Sequence, residues 1–420
     1  MRMRVNGARG RLAGADLLRV VAMVSVIGVH AVAWMATADA PAAAFYGTVD
    51  RLLRFGVPVF VFLTGYVLVH RYRDRGLDRS RFARGRARRV IAPFVSWAAV
   101  YLACAAVLTP IHDQLHSVSE LPGLLWSGTV AGHLYFLPVA LQFYLLFALL
   151  PRTRRAVAVL CAVAIPLQLG LTALRATGRL PEGGVLGDLD GDHAQWLCVW
   201  WVGYYALGAA AASWREPLER ALRRHRGAAL AAPVLTAPLV LLDLVRSGAQ
   251  GYDEILRPSI LLLTAAVLVA GLAAAQRLGS GRRGAELCEM LAQRSLGVYL
   301  LHPLVLTVLG RALQLDVSPL RTDGDLAHSL AVYLLLVGGT LAASLAAVGV
   351  LCRMPGGWLL AGRLEGRRAV AAQARSAQPA GVLGPQRHVV LGGDLAQGAA
   401  ARPHHHAVGL GPPVVVQDAA

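Results

Sequence analysis

The chain is poor in charge and contains no lysine. Only 15% of its 420 residues are charged, whereas 56% are hydrophobic. This balance excludes an ordinary soluble enzyme and predicts a polytopic membrane protein. All 41 basic residues are arginines, and the formal net charge is +17. An arginine-only chain rich in alanine and glycine is typical of a GC-rich coding sequence, which favours a bacterial source.

Cysteine is also scarce, and its placement excludes two kinds of site. The five cysteines are scattered without CxxC or Cys/His ligand spacing, so neither a structural zinc site nor a disulfide framework is expected. The adjacent histidines 404–406 are interpreted as incidental, and no metal is expected. The first apolar run lacks a clear small-residue cleavage site and carries Arg19, so we interpret it as a membrane helix rather than a signal peptide.

Long apolar runs dominate the rest of the chain. Ten of them approach the ~20 residues that an α-helix needs to cross a bilayer. The sequence therefore predicts an all-α polytopic bundle of about ten transmembrane helices. The predicted spans are 13–36, 53–70, 90–109, 133–150, 156–174, 195–213, 228–246, 258–276, 295–313 and 327–351.

The connecting segments alternate in charge. Every second one is rich in arginine, and the intervening ones carry Asp and Glu. This is the positive-inside pattern, which explains the basic excess without nucleic acid and predicts that both termini are cytoplasmic. The predicted organisation is a cytoplasmic amino terminus at 1–12, a transmembrane domain at 13–352 and a disordered cytoplasmic tail at 365–420, which is rich in Ala, Gly, Pro, Gln and His.

Two polar residues of the first span are the most informative in the chain. Arg19 and His30 are eleven positions apart, which places them within about 20° on one helix face and about 16 Å apart along the axis. Asp16, three positions before Arg19, is expected to pair with it. Each alone has a simple alternative, namely a snorkelling arginine or a neutral buried histidine. Together they favour a functional cavity.

Other candidates lie at the ends of later spans. Arg86 and Arg89 are three positions apart where the third span begins, so they are expected to share one helix face. Such a pair suits either a phosphate site or plain topology control by positive charge. Tyr66 follows Thr64 and Gly65, a segment whose small residues favour close helix packing.

Two further histidines fall on later spans. His133 is predicted at the outer end of the fourth span, and His302 lies mid-span in the ninth, three positions after Tyr299. A histidine within a membrane span is a functional candidate by default.

Five segments, in this order, resemble the integral-membrane acyltransferase 3 family. The resemblance covers residues from about 10 to 352, with two mild departures: Thr64 replaces a usual serine, and Tyr135 replaces a usual tryptophan. The segments are Asp16, Arg19 and His30; residues 57–66; Arg86 and Arg89; residues 133–137; and residues 295–303.

The resemblance implies an acyltransferase that moves an acyl group, commonly acetyl, from cytoplasmic acyl-CoA to a hydroxyl. The implied acceptors are sugars, cell-surface glycans or secondary metabolites. On this hypothesis the CoA phosphates lie near Arg86 and Arg89, and Arg19 steers the pantetheine arm or the thioester end. His30 is then the general base or the acyl carrier.

The same resemblance suggests the setting of the reaction. Tyr66, His133, Tyr299 and His302 are expected to line the substrate cavity, with no metal required. The expected location is a bacterial cytoplasmic membrane. Some family members carry a fused extracytoplasmic domain, so we expect any such hand-over here to need a separate partner.

A secondary transporter or exporter of a glycan or small metabolite is the main alternative from another class. Ten spans with buried Arg and His fit a transporter on general grounds. We find no internal repeat between the two halves of the chain to support it. A purely structural or sensor protein would not need Arg and His aligned within one span.

Overall fold

The computed structural model describes residues 12–35, 43–73, 76–108, 118–150, 152–180, 194–248, 255–278, 282–313 and 326–362. Within these ranges the chain is helical and contains no strand, which confirms the predicted all-α bundle. The helices are α1 (Ala13–Met35), α2 (Ala43–Leu53), α3 (Gly56–Tyr72), α4 (Arg79–Arg86), α5 (Ala92–Leu108), α6 (Leu121–Ser127), α7 (Phe136–Leu149), α8 (Arg154–Ala176), α9 (Val202–Ser213), α10 (Arg215–Arg224), α11 (Arg226–Ser247), α12 (Pro258–Leu278), α13 (Arg282–Ala312), α14 (Leu326–Leu351) and α15 (Trp358–Ala361). The predicted amino terminus up to residue 11, the predicted tail at 365–420 and the histidines at 404–406 lie outside the described residues.

Eight helical segments of the described chain are long and apolar enough to cross a bilayer. The predicted spans 133–150 and 195–213 correspond to shorter helices, because α7 has 14 residues and α9 has 12. Both are shorter than the ~20 residues of a straight membrane-spanning helix. The total of ten spans and the cytoplasmic position of both termini therefore stay predictions.

A glutamine explains why α9 begins late. The chain before α9 forms short 3-10 turns, and their backbone groups need partners where water is absent. Gln142 of α7 supplies two: its amide nitrogen donates to the carbonyl of Trp196 (2.7 Å), and its amide oxygen accepts from the N–H of Cys198 (2.9 Å). The irregular segment is thereby held against α7 without a helix of its own.

Helix α1 lies at the centre of the packing. It contacts α2, α3, α12, α13 and α14, and its residues Leu18, Ala22, Ile27 and Ala31 are almost fully buried. A helix that is apolar around most of its circumference is typical of such a central position. Polar side chains on α1 consequently face other helices or internal cavities.

Glycines bring α3 and α9 into backbone contact. A Cβ at Gly65 would meet the carbonyl of Tyr205, and a Cβ at Gly208 would meet the carbonyl of Phe62. Neither contact leaves room for a side chain. The close approach predicted at Gly65 is confirmed, and it fixes α3 beside α9.

The third membrane segment changes its winding partway along. Asp78 caps the start of α4 by accepting a hydrogen bond from the N–H of Arg81 (3.0 Å). Between α4 and α5, residues Ala87–Ile91 form a π-helical turn. A π-turn holds more residues per turn than an α-helix, so it changes which side chains share a face.

Candidate active site

Three histidines from three separate parts of the chain meet inside the bundle. The ring of His30 on α1 lies 5.0 Å from the ring of His302 on α13 and 6.3 Å from that of His133, measured between centroids. The rings of His133 and His302 are 5.4 Å apart. His302 is 0% exposed and His133 is 4% exposed. The Nε2 atoms of both are buried without a hydrogen-bond partner among the described residues.

Tyr299 holds this cluster together. It lies one turn before His302 on α13, and its hydroxyl donates a short hydrogen bond to the carbonyl oxygen of His133. The ring of Tyr299 is 5.6 Å from that of His133. His133 lies in the turn that precedes α7, so this bond ties the turn to α13. The structure therefore brings together four of the residues selected from the sequence.

A cavity of about 380 Å³ opens beside His30. His133 and Tyr299 line it, as do Asp50 and Arg54 of the segment between α1 and α3. The guanidinium of Arg54 donates from Nε and Nη2 to one carboxylate oxygen of Asp50, at 3.0 and 2.5 Å. The remaining lining is largely aliphatic. The cavity therefore combines an imidazole, a buried ion pair and apolar walls.

Sequence reasoning missed Asp50 and Arg54. Their side chains are only 17% and 13% exposed, although an acid and an arginine four positions apart normally indicate an exposed helical pair. The available signal was their position directly before the apolar run of α3. A charged pair at that point sits at the edge of the membrane or within a cavity.

A second cavity, of about 200 Å³, also has Tyr299 in its lining. It is lined by Arg19, Arg86, Tyr144 and Thr64 as well as by Tyr299. The predicted pairing of Arg19 with Asp16 is confirmed, since Nη1 of Arg19 lies 3.0 Å from Oδ1 of the carboxylate. The two arginines give this cavity a positive wall suited to an anionic ligand.

Arg86 is held by aromatic rings. Its guanidinium carbon lies 4.6 Å from the ring centroid of Tyr144 and 5.1 Å from that of Phe82. Such cation–π contacts orient a guanidinium and allow its N–H groups to point toward a ligand.

Arg89, the second arginine of the predicted pair, does not face the cavity that Arg86 lines. Arg89 is exposed, and it does not line the cavity that contains Arg86. Arg86 lies directly before the π-turn at Ala87–Ile91, and Arg89 lies within it. A π-turn holds more residues per turn than an α-helix, so residues three positions apart point further away from each other around the axis. Arg86 and Arg89 therefore do not share the helix face expected from their spacing.

Tyr66 lies away from the histidines. Its ring stacks with those of Phe62 and His70, at centroid distances of 6.0 and 6.2 Å. It lines a different cavity, together with Arg215 and Glu219. The structure thus does not bring Tyr66 into the cluster with the other predicted cavity residues.

Tyr299 is shared by both cavities, and this links the arginines to His30. The aligned positions of Arg19 and His30 on α1 are matched by two cavities placed one after the other along that helix. In the part of the chain that the structure describes, no group of three or more His, Cys, Asp or Glu side chains is arranged to hold a metal ion.

Comparison with known proteins identifies the family. A family model described as an acyltransferase domain, of the acyltransferase 3 type, matches residues 12–349. No curated protein and no solved structure gives a significant match to the chain. The matched region includes every helix from α1 to α13 and nearly all of α14. The chain belongs to the acyltransferase 3 family and is a multi-pass membrane acyltransferase.

Proposed function

We propose that the protein transfers an acyl group, acetyl in the simplest case, from acyl-CoA to a hydroxyl of a sugar, a cell-surface glycan or a secondary metabolite. Membership of the acyltransferase 3 family supports the reaction class. The single observation that carries the assignment of sites is that Tyr299 lines both an arginine-lined cavity and the cavity of His30.

The arginine-lined cavity is the proposed donor site. Acyl-CoA carries phosphates, and a guanidinium matches phosphate oxygens with paired hydrogen bonds. Arg86, held against two rings, binds a phosphate, and Arg19 lies near the pantetheine arm. The cavity volume of about 200 Å³ suits part of the ligand rather than all of it. The nucleotide end therefore extends toward the basic surface that we expect to be cytoplasmic.

His30 is the proposed general base. A neutral imidazole has one ring nitrogen that carries a proton and one that is free to accept a proton. It accepts the proton of the acceptor hydroxyl while the hydroxyl oxygen forms a bond to the thioester carbonyl carbon. The C–S bond then breaks, and the CoA thiolate leaves and takes up the proton from His30. In the carrier version, a ring nitrogen of His30 first forms a bond to the acyl carbon.

The cavity beside His30 is the proposed acceptor site. Its aliphatic walls accommodate carbon-rich parts of a molecule, and the Asp50 carboxylate can accept hydrogen bonds from hydroxyl groups. This combination suits a sugar ring or a hydroxylated metabolite whose reacting oxygen lies next to His30. We place the protein in a bacterial cytoplasmic membrane, with a separate extracytoplasmic partner where the product must be handed on.

Radiolabelled acetyl-CoA tests this proposal. Purified wild type in detergent is compared with His30→Ala and with His225→Ala, a control at an exposed histidine between α10 and α11. We expect label to leave CoA in the wild type and the control but not in His30→Ala. Label that stays on the protein identifies the carrier version. Full activity in folded His30→Ala would refute the role of His30, and binding without turnover by the wild type would favour a transporter.

A further inference from the structure

A proline fixes the protonation pattern of His302. Pro303 has no backbone N–H, so it cannot donate a helical hydrogen bond to the carbonyl of Tyr299, four residues earlier in α13. Nδ1 of His302 lies 2.7 Å from that carbonyl oxygen. A carbonyl can only accept, so Nδ1 carries the proton. In the neutral ring, Nε2 is consequently a bare acceptor.

Nε2 of His302 lies in a buried position, where an acceptor without a hydrogen bond is unfavourable. Nε2 of His302 is buried without a hydrogen-bond partner among the described residues, and leaving a buried polar atom unpaired is unfavourable. The ring of His30 is 5.0 Å away, on the facing helix α1. His30 also lines the proposed acceptor cavity, whereas His302 does not. The nitrogen that lacks a partner thus belongs to a residue directly behind the proposed base.

We propose that His302 is a positioning residue for His30, and that its Nε2 accepts a hydrogen bond from the ring N–H of His30 that faces away from the substrate. This inference rests on the proposed function. When His30 takes the hydroxyl proton, both of its nitrogens carry protons, and the one opposite the substrate needs an acceptor. Nε2 of His302 meets that need and orients the ring, as the third member of a catalytic triad does.

The proton balance leaves His302 unchanged. The acceptor hydroxyl loses its proton to His30, its oxygen forms the ester bond, and the C–S bond of the thioester breaks. The leaving thiolate receives the proton from His30. His302 accepts a hydrogen bond throughout and neither gains nor loses a proton, because its own Nδ1–H stays on the Tyr299 carbonyl.

A simpler role is that His302 merely donates a hydrogen bond to the Tyr299 carbonyl, to which Pro303 cannot donate. Two amide substitutions separate these roles. In His302→Asn, the amide nitrogen takes the place of Nδ1 and keeps the bond to Tyr299, but no acceptor reaches the position of Nε2. In His302→Gln, the longer side chain brings its amide oxygen to that position. His302→Asn therefore keeps the donor at Nδ1, and His302→Gln keeps the acceptor at Nε2.

The test measures acetyl-CoA thiol release by the full-length protein, with His30→Ala as the inactive reference. We expect His302→Asn to lower kcat about 10- to 100-fold while KM for acetyl-CoA stays within about 2-fold. His302→Gln should recover most of that loss. If Asn retains activity and Gln does not, or if both equal the wild type, or if both lose activity equally while folded, the inference is wrong.

Two further measurements keep the inference separate from the proposed function. A wild type no faster than His30→Ala contradicts the proposed function itself, whereas an active wild type matched by His302→Asn contradicts only the role of His302. Nitrogen-15 NMR of the histidines reports the tautomer independently of activity. A bare Nε2 resonance that disappears in His302→Asn supports the inference, and a protonated Nε2 at His302 overturns it.

Discussion

Replacing Arg86 by glutamine should weaken acyl-CoA binding far more than the same change at Arg89. Both substitutions remove one positive charge from the same short stretch of the third membrane segment. Only Arg86 lines the cavity with Arg19 and lies against the rings of Tyr144 and Phe82. Arg89 is exposed within the π-turn. The pair is therefore a matched comparison of position at constant charge.

The size of the effect can be worked out from the contacts. A hydrogen bond to a charged group contributes about 1.5–3 kcal/mol, which corresponds to a loss of about 10- to 100-fold in affinity when it is removed. Arg86→Lys keeps the charge but loses the planar fork and the stacking, so we expect an intermediate loss of about 3- to 10-fold. At Arg89 the charge acts only through screened solvent, so Arg89→Gln should change affinity by less than about 3-fold.

Equilibrium dialysis of acetyl-CoA against purified protein in detergent measures these affinities. Repeating it at low and high salt separates a direct phosphate contact from general attraction, because exposed charges lose their influence as salt rises. Equal weakening by Arg86→Gln and Arg89→Gln would refute the reasoning, since it would mean that net charge, and not the cavity, binds the donor.

Three further predictions concern stability. Gly208→Ala should destabilise the protein by about 1–3 kcal/mol, because its Cβ meets backbone of α3; thermal unfolding measures this, with Gly227→Ala, which meets nothing, as control. Asp50→Ala should lower the free energy of unfolding by about 2 kcal/mol, because it removes the carboxylate that Arg54 contacts. Replacing both residues should lower it by less, because no buried charge is then left without its partner. The backbone N–H of Arg81 donates a hydrogen bond to the Asp78 carboxylate and holds the pKa of that carboxylate below its usual range. This cap is therefore fully present above the ordinary carboxyl pKa, and the hydrogen-exchange protection of the first turn of α4, measured relative to the intrinsic exchange rate at each pH, should fall as pH falls through the lowered value.

The helices could be predicted from apolar run length, but the irregular segments could not. The α1 range of Ala13–Met35 nearly equals the predicted span of 13–36. The late start of α9 depends on hydrogen bonds from Gln142, a residue more than 50 positions earlier. A span-length pattern carries no information about such a long-range partner.

The site shows the same division between local and distant information. Each of His30, His133 and His302 was selected singly, because a histidine in an apolar span is unusual. Their contact, at 5.0 to 6.3 Å between rings, arises from packing that no local pattern describes. The helical spacing of Arg86 and Arg89 misled for a different reason, since the intervening π-turn has no sequence signature that we could recognise.

That π-turn also determines how the third segment responds to a change in length. A regular α-helix that loses one residue rotates the part before the deletion by about 100° relative to the part after it. A single deletion between positions 87 and 91 would turn the π-turn into regular α-helix, so the backbone hydrogen bonds would close again without a break. The same event would swing Arg86 away from the ring of Tyr144 on α7, whereas Phe82, on the same helix as Arg86, would turn with it. A shortening of one codon here would therefore leave the fold intact and relocate the cationic group.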